Sequence, residues 1–168
     1  MQGSYAYVKS PESIRPIEDV RRTTFSAIHN RPLVDGGNWA TTLVWGRNRT
    51  GGMNSDSVLL ETDCNIANKN TIFGRIEYVE KLGEELALLP AGRKIPITAL
   101  TIGGIHEVTT GRTYQAGVGA SVTFNWNPGD LNPVYGSSPT GLWVLLRIRP
   151  ATMAGHTAGM HMYDGIKH

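Results

Sequence analysis

Residues 113–126 read TYQAGVGASVTFNW, and the alternation in this stretch decides the fold. Ala116, Val118, Ala120 and Val122 fall on one side of an extended chain, with Tyr114 and Phe124 at the two ends of that side. Gln115, Gly117, Gly119, Ser121, Thr123 and Asn125 fall on the other. A period of two held over this length is a strand with one apolar and one polar face. Ten residues at ~3.3 Å each, tilted by about 45°, separate the two rings by roughly 23 Å along the normal to a membrane. That is close to the height of a lipid-facing band between two aromatic girdles.

Seven more segments carry the same pattern, rich in β-branched and aromatic residues and bounded by turn formers. They are SYAYVK (4–9), RTTFSAIHN (22–30), NWATTLVWGRN (38–48), DSVLLETDCNIA (56–67), NTIFGRIEYVEK (70–81), IPITALTIGGIHEV (95–108) and GLWVLLRIRP (141–150). Several exceed the five or six residues typical of a strand in a globular protein. The connections take turns in length. SPESIRPIEDVR is long, and RPLVDGG and RTGGMNS are equal at seven residues each; the alternation sharpens after that, with Asn68-Lys69-Asn70 tight, LGEELALLPAGRK long, TTGR brief and NPGDLNPVYGSSPT long. Such alternation predicts an all-β, up-and-down antiparallel meander of about eight strands, closed into a β-barrel or forming part of a wider one. Within LGEELALLPAGRK the stretch GEELALL is compatible with a helical turn.

The charges follow the same alternation. Glu61 and Asp63 oppose Val58, Leu60 and Ile66; Arg75 and Glu77 oppose Ile72, Ile76 and Tyr78; Arg147 and Arg149 oppose Leu142, Val144, Leu146 and Ile148. A dry core tolerates few such ions, because each buried charge must be paired. A narrow polar lumen accepts these six as mutually neutralising side chains. A soluble barrel or sandwich predicts the same alternation with the apolar side inside and the charges in water, binding a small ligand or a metal ion.

Composition removes other classes. The net charge of +2, with no Lys/Arg-dense run, gives no electrostatic footprint for nucleic acid. The single cysteine, Cys64, cannot form an internal disulfide and reads as a passive strand residue. No apolar run reaches the ~18 residues of a membrane helix. The start, MQGSYAYVKS, lacks the charged and apolar regions of a signal peptide. Catalysis has no motif: there is no nucleophile elbow, paired-histidine helix or tight acid pair, and the glycines of RTGGMNS and TIGGIHEV sit at no strand-to-helix junction.

The runs NWATTLVWGRNR, DSVLLETDCNIANKNTIFGRIEYVEK, ALTIGGIHEV and YGSSPTGLWVLLRIRP together resemble the C-terminal part of a family of uncharacterised, porin-like outer-membrane β-barrel proteins of proteobacteria. The resemblance covers Trp39 to Arg149. Its more specific elements are the Asn-Thr-x-Phe-Gly-Arg-x-Glu hairpin at residues 70–77 and the Tyr135-Gly136-Ser137-Ser138-Pro139 loop. It implies a place in the outer membrane of a Gram-negative bacterium, contact with outer-membrane lipid, and a non-enzymatic role as pore, transport accessory or metal-handling protein. It carries no activity onto individual residues. Family chains are longer and begin with a signal peptide, so this sequence reads as trimmed or as a fragment. Outer-membrane barrels commonly end on an aromatic residue of the last strand, whereas here Pro150 is followed by a further segment.

That segment, 151–168, divides from the 1–150 barrel domain as a glycine-punctuated tail. Its Met153, His156, Met160, His161 and Met162 are candidate metal ligands, since thioether and imidazole together suit copper. Ordering a flexible tail around an ion costs entropy, which predicts modest affinity.

Overall fold

The computed structural model describes residues 1–9, 19–34, 36–83, 93–110 and 113–150. Its strands are β1 (Gln2–Val8), β2 (Val20–Pro32), β3 (Asn38–Thr50), β4 (Met53–Ile66), β5 (Asn70–Leu82), β6 (Lys94–Thr110), β7 (Tyr114–Trp126) and β8 (Thr140–Pro150). They form one eight-stranded antiparallel sheet in which each strand pairs with its neighbours in sequence. The meander is as the alternation predicts. The barrel does not close on itself, because β1 and β8 are the two edges of the sheet. A wider barrel is the form of the expectation that this open sheet fits.

One connection differs from its sequence reading. RTGGMNS is not a seven-residue loop: β3 and β4 run to Thr50 and Met53, and Gly51-Gly52 alone joins them. Both glycines have positive φ, 55° and 85°, the conformation of a two-residue type I′ hairpin whose twist matches that of the strands. The flanking Asn48, Arg49, Asn54 and Ser55 therefore pair across the ladder. At the opposite end β4 and β5 are joined by residues 67–69, so Asn70 already belongs to its strand. The stretch GEELALL falls mostly outside the described residues, as does the whole tail 151–168.

NPGDLNPVYGSSPT contains structure that strand periodicity does not announce. A 3-10 turn at Gly129–Leu131 leads into a single helical turn at Asn132–Tyr135. The Asn125 backbone N–H and side-chain amide both donate to the Pro139 carbonyl, each at 3.0 Å, folding this connection back on β7. Leu131, Tyr135 and Pro139 line with Ile97 a small apolar recess of about 310 Å³.

The register sorts the side chains into two faces. One carries cross-strand rows such as Phe25, Trp45, Val58, Tyr78, Thr98 and Trp126, followed by Ala27, Leu43, Leu60, Ile76, Leu100 and Phe124. The other carries Glu61, Arg75, Thr101 and Thr123 in one row and Glu107, Gly117 and Arg147 in another. The apolar face is broad from β5 to β8 and thins toward β2, where His29 and Arg31 share it with Phe25 and Ala27. Polar groups on it pair with one another: Trp39 Nε1 donates to Thr62 Oγ1 at 2.8 Å, and the Thr41 and Thr62 hydroxyls lie 3.0 Å apart.

The sheet bends toward its polar face. Cβ atoms built on polar-face Gly103, Gly117 and Gly119 would lie 2.4, 2.8 and 2.3 Å from neighbouring atoms. On the apolar face the same test at Gly3, Gly74 and Gly104 finds nothing closer than 3.9, 3.9 and 3.4 Å. Side chains converge on the concave side of a curved sheet and splay on the convex side, so the polar face is the concave one. Burial agrees: Thr71, Glu107, Gln115 and Ser121 are buried, whereas Val144 and Leu146 on the other face are 83% and 72% exposed. Among the described residues only Val20, Leu82, Ile95 and Leu131 form a buried set of large apolar side chains. This sheet has no apolar core of its own.

Candidate functional site

All six charged residues read from the sequence as one set lie on the concave face, in two groups. In the first, Arg75 on β5 sits between two carboxylates. Its Nη2 donates to Glu77 at 2.8 Å, and its Nη1 lies 3.9 Å from Glu61, its cross-strand partner on β4. All three are well exposed, so the pairs are worth little individually. Asp63, one step along β4, is exposed and has no ion pair among the described residues.

The second group is built around a residue that sequence reasoning missed. Glu107 on β6 is a buried carboxylate, its side chain fully shielded, and it receives both Arg147 and Arg149 from β8. Arg147 Nη2 donates to Glu107 Oε1 at 2.5 Å and to Thr71 Oγ1 on β5 at 3.1 Å; Arg149 Nη2 lies 3.2 Å from the same carboxylate oxygen. The two strands that meet here are not neighbours. β7 runs between them, and Gly117 is the residue directly between Glu107 and Arg147. A Cβ there would stand 2.8 Å from Glu107 Oε2, so the absence of a side chain is what lets the pair close across the strand. The cluster thus laces β5, β6 and β8 together.

Two guanidinium groups against one carboxylate leave a local excess of positive charge. Glu107 Oε2, Gln115 Oε1, Arg147 Nε, Arg149 Nε and Arg149 Nη2 are buried atoms with no hydrogen-bond partner. The last approaches Glu107 without hydrogen-bond geometry, so its attraction is coulombic. The arrangement fixes charge on a concave wall. It places no nucleophile beside a base.

Glu107 was hidden because β6 looks apolar on both sides: Ile95, Ile97 and Ile105 share the concave face with it, and Leu100 and Ile102 occupy the other. The available signal was parity, since Thr101, Gly103, Ile105 and Glu107 alternate in one register. Cys64 is a free, half-buried thiol on the apolar face beside Trp39 and Ile72. Met153, His156, Met160, His161 and Met162 lie outside the described residues. Among the described residues no three His, Cys, Asp or Glu side chains gather as a metal site would require.

A further charged group stands on the apolar side, beyond the Phe25 to Trp126 row. Arg47 forms a bidentate pair with Asp56, at 2.7 and 3.0 Å, and its guanidinium lies 5.4 Å from the centre of the Trp45 ring. Comparison of the chain with protein-family models, with curated proteins and with solved structures found no match.

Proposed function

We propose that this chain forms wall of a bacterial outer-membrane β-barrel wider than eight strands, with its convex apolar face against lipid and its concave charged face lining a polar lumen. Its role is non-enzymatic: passage of a polar or ionic solute, or support of such passage. The observation that carries the reading is the sidedness of the sheet. In a soluble barrel the apolar face is concave and makes the core; here the concave face holds Glu107, Arg147 and Arg149 with Gly103, Gly117 and Gly119. The row Phe25, Trp45, Tyr78 and Trp126 fits an aromatic girdle, with aliphatic rows on one side of it and arginines on the other. The resemblance of residues 39–149 to porin-like chains points the same way.

The edges constrain this reading. Unpaired strand edges do not survive in hydrocarbon, because each exposed N–H and C=O costs several kcal/mol there. The outer edges of β1 and β8 must therefore pair with further strands. Eight strands alone leave a lumen filled by side chains, so a conducting role requires that wider closure.

Refolding tests the reading. The chain is expected to acquire β structure and heat-modifiable gel mobility in detergent micelles or lipid vesicles, and to aggregate without them. A monodisperse, folded monomer in plain buffer would overturn it. Ile102 sharpens the test. It lies mid-strand on the apolar face, 49% exposed, so Ile102→Arg on a soluble surface would change stability by no more than about 0.5 kcal/mol. Against lipid it is expected to cost ~2 kcal/mol or more, measured by urea unfolding from vesicles. A neutral result would exclude lipid at that position.

A further inference from the structure

At the end of the sheet where Gly51-Gly52 turns, the convex face carries two cross-strand rows rich in hydrogen-bond donors, the inner one ending on the Asp56 carboxylate, an acceptor. The outer row runs Tyr7, Arg21, Arg49, Asn54, and the inner row runs Tyr5, Thr23, Arg47, Asp56. Arg21 and Arg49 are directly opposite each other, exposed, and have no ion pair among the described residues. Like charges placed opposite in a ladder repel and destabilise it. The Asp19 carboxylate stands in the adjoining pocket, yet among the described residues neither arginine forms an ion pair, so an external anion would offset this like-charge contact.

The shape between these rows fits one. Tyr5, Arg21, Thr23, Arg47, Arg49 and Asn54 line a surface pocket of about 290 Å³. Each contributes an N–H or O–H that can donate, and no carboxylate lines the pocket. The nearest acids are engaged elsewhere. Asp56 takes the bidentate pair from Arg47, and Asp19, in the adjoining pocket that shares Arg21 and Arg49, accepts from the Tyr7 hydroxyl. Pairing with Asp56 and stacking on Trp45 also fix the Arg47 guanidinium beforehand. Three arginines together suit a phosphate better than a carboxylate, because it offers their forks up to two charges and three acceptor oxygens where a carboxylate offers one charge and two oxygens.

The geometry points to this pocket as a phosphate-binding site, recognising a phosphomonoester-type oxoanion through Arg21, Arg49 and Arg47 with Tyr5, Thr23 and Asn54. The oxoanion has two sources. It lies one row beyond Phe25 and Trp45, where a lipid headgroup would stand if the apolar face meets a membrane, so the lipid source rests on the function proposed above. Binding of a free phosphate does not.

The test uses the folded full chain, in micelles or in buffer, whichever keeps it folded, and follows Trp fluorescence and ³¹P line width during titration with inorganic phosphate. Flotation with phosphatidylcholine vesicles, with and without phosphatidic acid, forms the second arm. Saturable phosphate binding is expected, weakened roughly tenfold or more in Arg21→Gln/Arg49→Gln, and unchanged in Arg31→Gln, which removes one charge from the same face at its other end. The double variant is also expected to be no less stable than the parent, since a like-charge contact is removed, so lost binding cannot be ascribed to unfolding. Phosphatidic acid capture that depends on Arg21 and Arg49 assigns the site to a headgroup; saturable binding of inorganic phosphate alone assigns it to a soluble ligand. Absence of saturable binding in both arms, or equal loss in Arg31→Gln, would overturn the site while leaving the membrane reading to its own test.

Discussion

Replacing both arginines of the concave cluster, Arg147→Met/Arg149→Met, is expected to destabilise the folded chain by about 3–5 kcal/mol, the cost of leaving one partner of a buried ion pair uncompensated. Glu107 is fully shielded and, among the described residues, takes its ionic contacts from these two. Either single variant should cost much less, because the remaining guanidinium lies within reach of the same Oε1 atom. The effects of the singles therefore should not add. Introducing Glu107→Leu into the double variant should recover most of the loss, since it is the stranded carboxylate that is costly. Equilibrium denaturation of the five proteins measures all of this in one series. If the double variant unfolds at the same denaturant concentration as the parent, Glu107 is solvated in the folded state and the cluster does not bind β8 to β6.

The second large effect is a difference in sign between two identical substitutions. Alanine in place of a strand glycine ordinarily stabilises by roughly 0.5–1 kcal/mol through backbone entropy. That is expected at Gly141, where a Cβ meets nothing closer than the Trp143 Nε1 atom at 3.5 Å. At Gly119 the same methyl group would stand 2.3 Å from the Gly104 carbonyl oxygen and 3.0 Å from the Ile105 Cα. Both are backbone atoms of the neighbouring strand and cannot swing aside, so β6 and β7 must part. Gly119→Ala is expected to cost about 3 kcal/mol or more. Thermal or urea unfolding of the pair decides it, and equal shifts of the same sign would mean that the sheet does not curve toward its polar side.

The placement of the strands was legible to within a few residues from the two-residue period and the turn formers. Parity did the rest for Glu61, Asp63, Arg75, Glu77, Arg147 and Arg149, which share one face as the alternation requires. Three features were not legible. Gly51-Gly52 sits among residues that favour loops, and only pairing of Arg49 with Asn54 across the ladder reveals a two-residue hairpin. Glu107 lies in a strand with apolar residues on both sides, and its partners come from a strand two places away. The donor-lined pocket needs Tyr5 from β1, Arg21 from β2, Arg47 and Arg49 from β3 and Asn54 from β4, residues that no spacing rule associates.

By itself, then, the sequence determined an antiparallel meander with one apolar and one charged face, because a side chain in a strand can point only one of two ways. It was silent on which face is inside, since alternation is unchanged when the sheet is bent in the opposite sense. The tertiary structure decided that through Gly103, Gly117 and Gly119: without side chains on the polar side of β6 and β7, Phe73, Glu107 and Ile105 fold over the gaps, and the open sheet bends toward its charges.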